Sequence, residues 1–182
     1  MMKKWVKDIF LPNAAKNSVL LLDSWPGFND AKEMPEIKKK KIDILTIPPK
    51  TTGKIQPLDV GFNRYFKLIL RTLEDKIRRM HPEFKLSQRS NIGRLLNQVI
   101  EQISAPRYNS LIQHAFIKPG YFDREYKKYE TPDSYCFNFA KIGARCELKN
   151  CKELSFIRCS WCEKHICFHH FLMSLHCCRK NN

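Results

Sequence analysis

Residues 18–23, Ser18-Val19-Leu20-Leu21-Leu22-Asp23, decide the fold: four apolar residues in a row end in one aspartate. A run this short and continuous reads as a buried central strand whose acid emerges at its carboxyl edge. Trp25-Pro26-Gly27 breaks the strand, residues 29–40 read as an amphipathic helix turning from acidic to basic, and residues 42–47 read as a second β-rich run stopped by Pro48-Pro49. Strand, helix and strand within about 30 residues predict a right-handed βαβ crossover, the unit of a parallel sheet. Behind a Pro-rich turn, Gln56-Pro57-Leu58-Asp59 sets a second aspartate 36 positions after the first, at the head of a long amphipathic segment.

Working outward, residues 3–10 carry Trp5, Val6, Ile9 and Phe10 at helical spacing, and Pro12 closes that segment. Residues 62–80 place Phe62, Phe66, Ile69, Leu70, Leu73 and Ile77 on one helical face with Arg and Lys opposite, bounded by Pro82. A second helix is expected from a Ser90/Asn91 cap to Ile103, and a third over residues 108–116. Residues 121–140 are charged and aromatic without period and read as a linker.

The chain has 182 residues, 43% of them hydrophobic, enough for one domain with a small appendage and a real core. It carries 33 basic against 18 acidic residues, a formal charge of +15, which favours a polyanionic partner, nucleic acid first among them. A merely soluble basic protein is the plainer reading of the same numbers. No run of 18 apolar residues is present, so no membrane helix is expected, and Lys7, Asp8, Pro12 and Lys16 interrupt any signal-peptide core. Seven of the eight cysteines fall within residues 146–178, among histidines, which points to metal in a reducing compartment rather than to disulfides.

Phosphodiester cleavage needs a metal-bound nucleophile and a stabilised leaving oxygen, which paired Mg²⁺ or Mn²⁺ ions roughly 3.5–4 Å apart supply. Hard cations take oxygen ligands, so Asp23 and Asp59 are candidate metal ligands. On spacing alone a plainer reading stands beside this one: Asp23 merely ends a strand, and Asp59 caps a helix starting near Val60.

Leu20–Asp23, Pro48-Pro49, Thr51-Thr52 and Gln56–Gly61 stand in the order LLLD, PP-x-T-T and QPLD-x-G, and in this the chain resembles DDE-superfamily transposases of the pogo/Tigger and mariner type, related to centromere protein B. The resemblance spans roughly residues 5–120. It implies an RNase H-like α/β fold, with Asp23 as the second catalytic acid and Asp59 as the third. Trp25 and Phe28 stand where many members carry other residues, including a His. In the family the first acid lies on the first strand of a three-stranded meander. Only 22 residues precede Asp23, and Asp8 falls in the expected helix. The expectation is therefore the C-terminal half of the catalytic domain, from a truncated product, a reused host protein or an incomplete gene model, with strand transfer lost.

Cys146-x4-Cys151-x7-Cys159-x2-Cys162-x4-Cys167-x2-His170-x5-His176-x-Cys178 offers eight ligands in four pairs, enough for two tetrahedral Zn²⁺ ions. The tail is similar to the cysteine-rich C-terminal modules of piggyBac-like transposases, where ligand pairs alternate in a cross-brace. That similarity implies Cys146, Cys151, Cys167 and His170 on one zinc, and Cys159, Cys162, His176 and Cys178 on the other. Cys136, His165, His169 and Cys177 stay open as substitutes.

The expected fold is thus a partial RNase H-like domain over residues 1–80, a helical extension over 81–120, the linker over 121–140 and a zinc-bound Cys/His module over 141–180. Lys39, Lys40, Lys50, Lys54, Arg64, Lys67 and Arg71 are expected to grip DNA phosphates without reading bases, although helix-face charges are often only solvated. Lys38–Lys41 reads equally as a nuclear localisation signal, and the expected location is the nucleus. Three functions compete: a DNA-binding module, an active Mg²⁺- or Mn²⁺-dependent endonuclease, and a protein-interaction module built on the zinc tail.

Overall fold

The computed structural model describes residues 2–125, 127–137 and 143–178. The chain divides into two compact units, Met1–Val60 and Gly61–Asn182.

In the first unit a helical run carries α1 (Met2–Trp5), a π-helical turn (Val6–Phe10) and α2 (Leu11–Asn13). Pro12, expected to close the helix, lies one residue before the run ends at Asn13, where Ala14 turns extended. Strand β1 (Ser18–Leu22) pairs in parallel with β2 (Ile42–Thr46), Ser18 opposite Ile42 and Leu22 opposite Thr46. The ladder is extended by the Ile47 amide, which donates to the Leu22 carbonyl at 2.7 Å. The single helix expected over residues 29–40 is two, α3 (Asn29–Lys32) and α4 (Pro35–Lys39). Proline disfavours helical geometry in the residue before it, and Met34 is extended at ψ 127°.

Val6, Met34, Ile37 and Ile42 form this unit's buried cluster, with Leu20 and Ile44 packed against it from the strands. Val19 and Leu45, from the other face of the ribbon, are 56% and 53% exposed. The run read from sequence as a buried central strand is thus covered on one face only, in a two-stranded ribbon, and the chain is of mixed helix and small-sheet content.

After β2, Lys50 at φ 66° and a Thr51 hydroxyl bond to the Pro48 carbonyl at 2.7 Å turn the chain into α5 (Thr52–Ile55). A π-helical turn, Leu58–Phe62, then leads into α6 (Asn63–Met80).

The second unit is built on α6 and α7 (Arg89–Ile103), followed by α8 (Asn109–Ile117) and α9 (Pro132–Phe137). Ile69, Leu73 and Ile77 repeat every four residues on α6, and Leu95, Val99 and Ile103 do the same on α7, giving each helix one apolar stripe. The hairpin β3 (Ile157–Arg158) and β4 (His165–Ile166) and a π-helical turn (His169–Met173) complete the unit. Phe156, Ile157, Ile166, Phe171 and Leu172 from this segment share one core with both stripes.

Two sequence expectations change here. Residues 121–140, read as a linker, contain α9, whose Tyr135 and Cys136 are buried in that core; a six-residue helix is too short for its periodicity to be visible. Residues 138–142 of that stretch lie outside the described residues. And α6, grouped by sequence with residues 1–80, packs against α7 and α9.

Gly61, in the QPLD-x-G motif, is needed because a Cβ there would come within 2.6 Å of the Ala115 Cβ on α8. Gly61→Val is expected to destabilise the protein by about 1–3 kcal/mol through overpacking. Urea denaturation checks this, and a midpoint equal to that of the wild type refutes it.

Candidate metal centres and nucleic-acid interface

The Cys/His segment is a series of tight turns that throw sulfur and nitrogen inward. The Cys146–Cys151 loop closes through an Arg145–Leu154 bridge, with the Cys146 amide on the Glu153 carbonyl at 2.8 Å and Asn150 at φ 62°. Cys159 and Cys162 lie in the β3–β4 turn. There the Cys159 amide donates to Lys164 at 2.9 Å, the Trp161 amide donates to the Cys159 Sγ at 3.4 Å, and Glu163 takes φ 63°. Cys167 and His170 are three apart at the entrance of the π-helical turn, so they point the same way. Leu175 at φ 51° then turns His176 and Cys178 back.

Two sets of four ligand atoms result, each with all atoms within 4.8 Å of one another: Cys146, Cys151, Cys167 and His170, and Cys159, Cys162, His176 and Cys178. In the first set Cys151 and Cys167 sulfurs are 3.9 Å apart, and the His170 Nδ1 is 3.5 Å from Cys146 and 3.2 Å from Cys167. In the second, Cys159 and Cys178 sulfurs are 3.8 Å apart, and the His176 Nε2 is 3.5 Å from Cys162 and 3.0 Å from Cys178. A tetrahedral zinc with sulfur at about 2.3 Å and nitrogen at about 2.0 Å has edges of about 3.8 Å between sulfurs and about 3.5 Å between sulfur and nitrogen. The sulfurs sit at that spacing, the nitrogens at or slightly inside it, and every cysteine is a free thiol.

The pairs interleave, first with third and second with fourth. The first set holds one thiol pushed down and one pushed up, the second one pushed down and two pushed up. For Cys162 the bond to Cys159 brings the value to about 3, while the same contact drives Cys159 up. Burial raises Cys167 and Cys178 to about 11, and burial also works against Cys146, where bonds from the Cys167 and Leu148 amides outweigh it and lower its value. Packed thiols that cannot all ionise together are relieved by a cation.

The four open substitutes are engaged elsewhere. Cys136 meets the Ser160 hydroxyl at 3.3 Å, His165 Nδ1 meets the Ser155 hydroxyl at 3.4 Å, His169 Nδ1 meets the Ser174 hydroxyl at 3.4 Å, and the Cys177 thiol meets Glu101 at 3.6 Å. Sequence reading missed the brace under the second set. The Ser160 amide donates to Gln102 Oε1 at 2.7 Å, Tyr108 and Ser160 hydroxyls meet at 2.8 Å, and the Trp161 indole donates to the Glu101 carbonyl at 2.7 Å. These contacts join residues more than 50 positions apart, and no local pattern signals them.

Asp23 follows β1 at its carboxyl edge and accepts the Trp25 amide at 3.1 Å; Asp59 lies exposed in the turn before α6. Among the described residues, no set of three or more metal-ligating groups includes either of them. Carboxylates suit a hard cation by ligand type.

Lys39, Lys50 and Lys54 of the first unit are exposed. Lys40 is not: its Nζ donates to the Leu11 carbonyl and, at 2.7 Å, to the Ala14 carbonyl, capping the end of α2. In the second unit Arg64, Lys67 and Arg71 form an exposed stripe on α6.

Residues 1–101, more than half of the chain, match the DDE superfamily endonuclease family. The chain belongs to the DDE endonuclease superfamily. Residues 116–178 match the Tc5 transposase C-terminal domain, so the Cys/His segment of this DDE-family chain has a transposase match of its own, to Tc5 and not to piggyBac. No curated protein and no solved structure matches the chain. Together the two matches make this a transposase-derived, DNA-related protein, with DNA as the partner such domains imply and a divalent metal as the cofactor of DDE activity. Among the described residues, no helix is long and apolar enough to cross a membrane.

Proposed function

We propose that this chain binds DNA through its exposed basic faces, with its second unit organised by two structural zinc ions and without cleaving DNA itself. The zinc reading is carried by the two four-atom sets at tetrahedral spacing. The binding reading is supported by the family matches, by the charge of +15 and by the Arg64, Lys67 and Arg71 stripe. The non-cleaving reading is supported by Asp23 and Asp59 lying outside every set of three or more metal-ligating groups among the described residues. The place of action is the nucleus, with Lys38–Lys41 as the import signal.

Fluorescence anisotropy with duplex DNA across a salt series tests this. Replacing Arg64, Lys67 and Arg71 together by Gln is expected to flatten the slope of log affinity against log salt by roughly 3, about 0.9 per phosphate contact. Asp23→Asn and Asp59→Asn are expected to leave affinity unchanged. Salt-insensitive or absent binding overturns the reading. The DDE match favours one rival, a metal-dependent endonuclease. It predicts Mg²⁺- or Mn²⁺-dependent plasmid nicking that both aspartate variants abolish. A third reading, a protein-interaction tail, predicts that partner binding and not DNA binding tracks the Cys/His segment.

A further inference from the structure

Beside the basic stripe, α6 carries a second positive feature of different build. Thr72, Lys76, Arg79 and Met80 recur at helical spacing and, with Phe137 of α9, line a depression of about 400 Å³. Lys76 is half-buried there. Its ammonium donates to the Phe156 carbonyl and lies 5.1 Å over the Phe156 ring and 5.6 Å over the Phe137 ring. Arg79, one turn on, spends its Nε on the Asp75 carbonyl at 3.2 Å. Asp133 comes to this wall, but its Oδ1 accepts the Thr72 hydroxyl at 2.6 Å. Among the described residues, none of the ion pairs involves Lys76 or Arg79.

Two cations stand one turn apart, one of them half-buried, and among the described residues neither is in an ion pair. Burial, and then the Arg79 charge, hold the Lys76 amine below its ordinary range. An anion between them relieves both costs: it compensates the desolvated ammonium and screens the like charges. A phosphate fits best, since the guanidinium fork matches two of its oxygens and the ammonium a third.

We propose that Lys76 and Arg79 form a phosphate seat on α6 that receives a backbone phosphate of a bound DNA strand. The occupant rests on the DNA-binding reading above; the anion chemistry of the seat does not.

The test combines two measurements on the full chain. Acylation of Lys76 by an amine reagent, followed by mass spectrometry, is run with no ligand, with duplex DNA and with inorganic phosphate. The salt slope of DNA affinity is measured for wild type, for Arg79→Gln and for Lys76→Met, which keeps the apolar stem. Arg79 is exposed, so its variant folds even where Lys76→Met does not. The expected result is protection of Lys76 by DNA and a slope reduced by about 1 in each variant. DNA binding with Lys76 unprotected and an unchanged slope overturns the seat and leaves the DNA reading intact. Protection by phosphate in a protein that binds no DNA overturns the DNA occupant and identifies a free-phosphate site. No protection by either ligand overturns the seat itself.

Discussion

Stripping zinc from this protein is expected to unfold the whole second unit, rather than only its last forty or so residues. The Cys/His segment has little core of its own: Phe156, Ile157, Ile166, Phe171 and Leu172 are buried against the stripes of α6 and α7. Its turns carry the two ligand sets and are tied to the helices by single bonds, such as Arg94 to the Met173 carbonyl at 2.8 Å. Structural zinc contributes on the order of 10–16 kcal/mol in small metallo-domains, comparable to the entire stability of a domain, about 5–15 kcal/mol. Loss of either ion therefore removes the packing partner of both helices. Chelation, or Cys159→Ser or Cys167→Ser, should collapse the helical circular dichroism together with the metal content. Acid should do the same, because protons compete with the metal for thiolates and imidazoles. Helical signal that persists after zinc loss has been verified by elemental analysis refutes the coupling.

Phe171→Ala carries the second large effect, a destabilisation of about 3–5 kcal/mol. The ring is fully buried, 6.2 Å from the Phe156 ring, in the core shared with α6 and α7. It also sits inside the ligand framework: its amide donates to the Cys167 carbonyl at 2.9 Å, and its carbonyl accepts the His176 amide at 3.3 Å. Truncation opens a cavity and loosens ligands of both sets at once. Zinc affinity should therefore fall with stability, a pairing that a simple core residue would not produce. Leu154→Ala, at a side chain 57% exposed, should stay within about 0.5 kcal/mol of wild type. Urea denaturation with zinc competition measures both quantities, and equal midpoints for the two variants refute the prediction.

Much of this architecture is written locally. The apolar run at 19–22, the period of α6 and α7 and the pairing of cysteines with histidines each act over a few residues, through strand propensity, helix amphipathicity and ligand chemistry. They were enough to predict parallel β1 and β2, both long helices and a metal-type tail, and the DDE order of motifs pointed to the family that the match to residues 1–101 bears out. Proline was the weaker guide. Pro12 sits near the end of a helical run and Pro35 divides one, because proline drives the preceding Met34 into extended geometry while Leu11 before Pro12 stays helical.

What sequence could not settle depends on contacts between distant segments. Which of twelve Cys and His side chains come together is decided by chain reversals at Asn150, Glu163 and Leu175, and by Ser155, Ser160 and Ser174 occupying the alternatives. Lys40, read by composition as a phosphate contact, caps α2 instead, while Lys76 becomes half-buried only when Phe137 and Phe156 close over α6. Sequence determined the elements and their chemistry, since propensity and ligand type are properties of single residues and near neighbours. Tertiary structure decided which charges are spent on the fold and which remain for a partner, since burial and pairing exist only once remote segments meet.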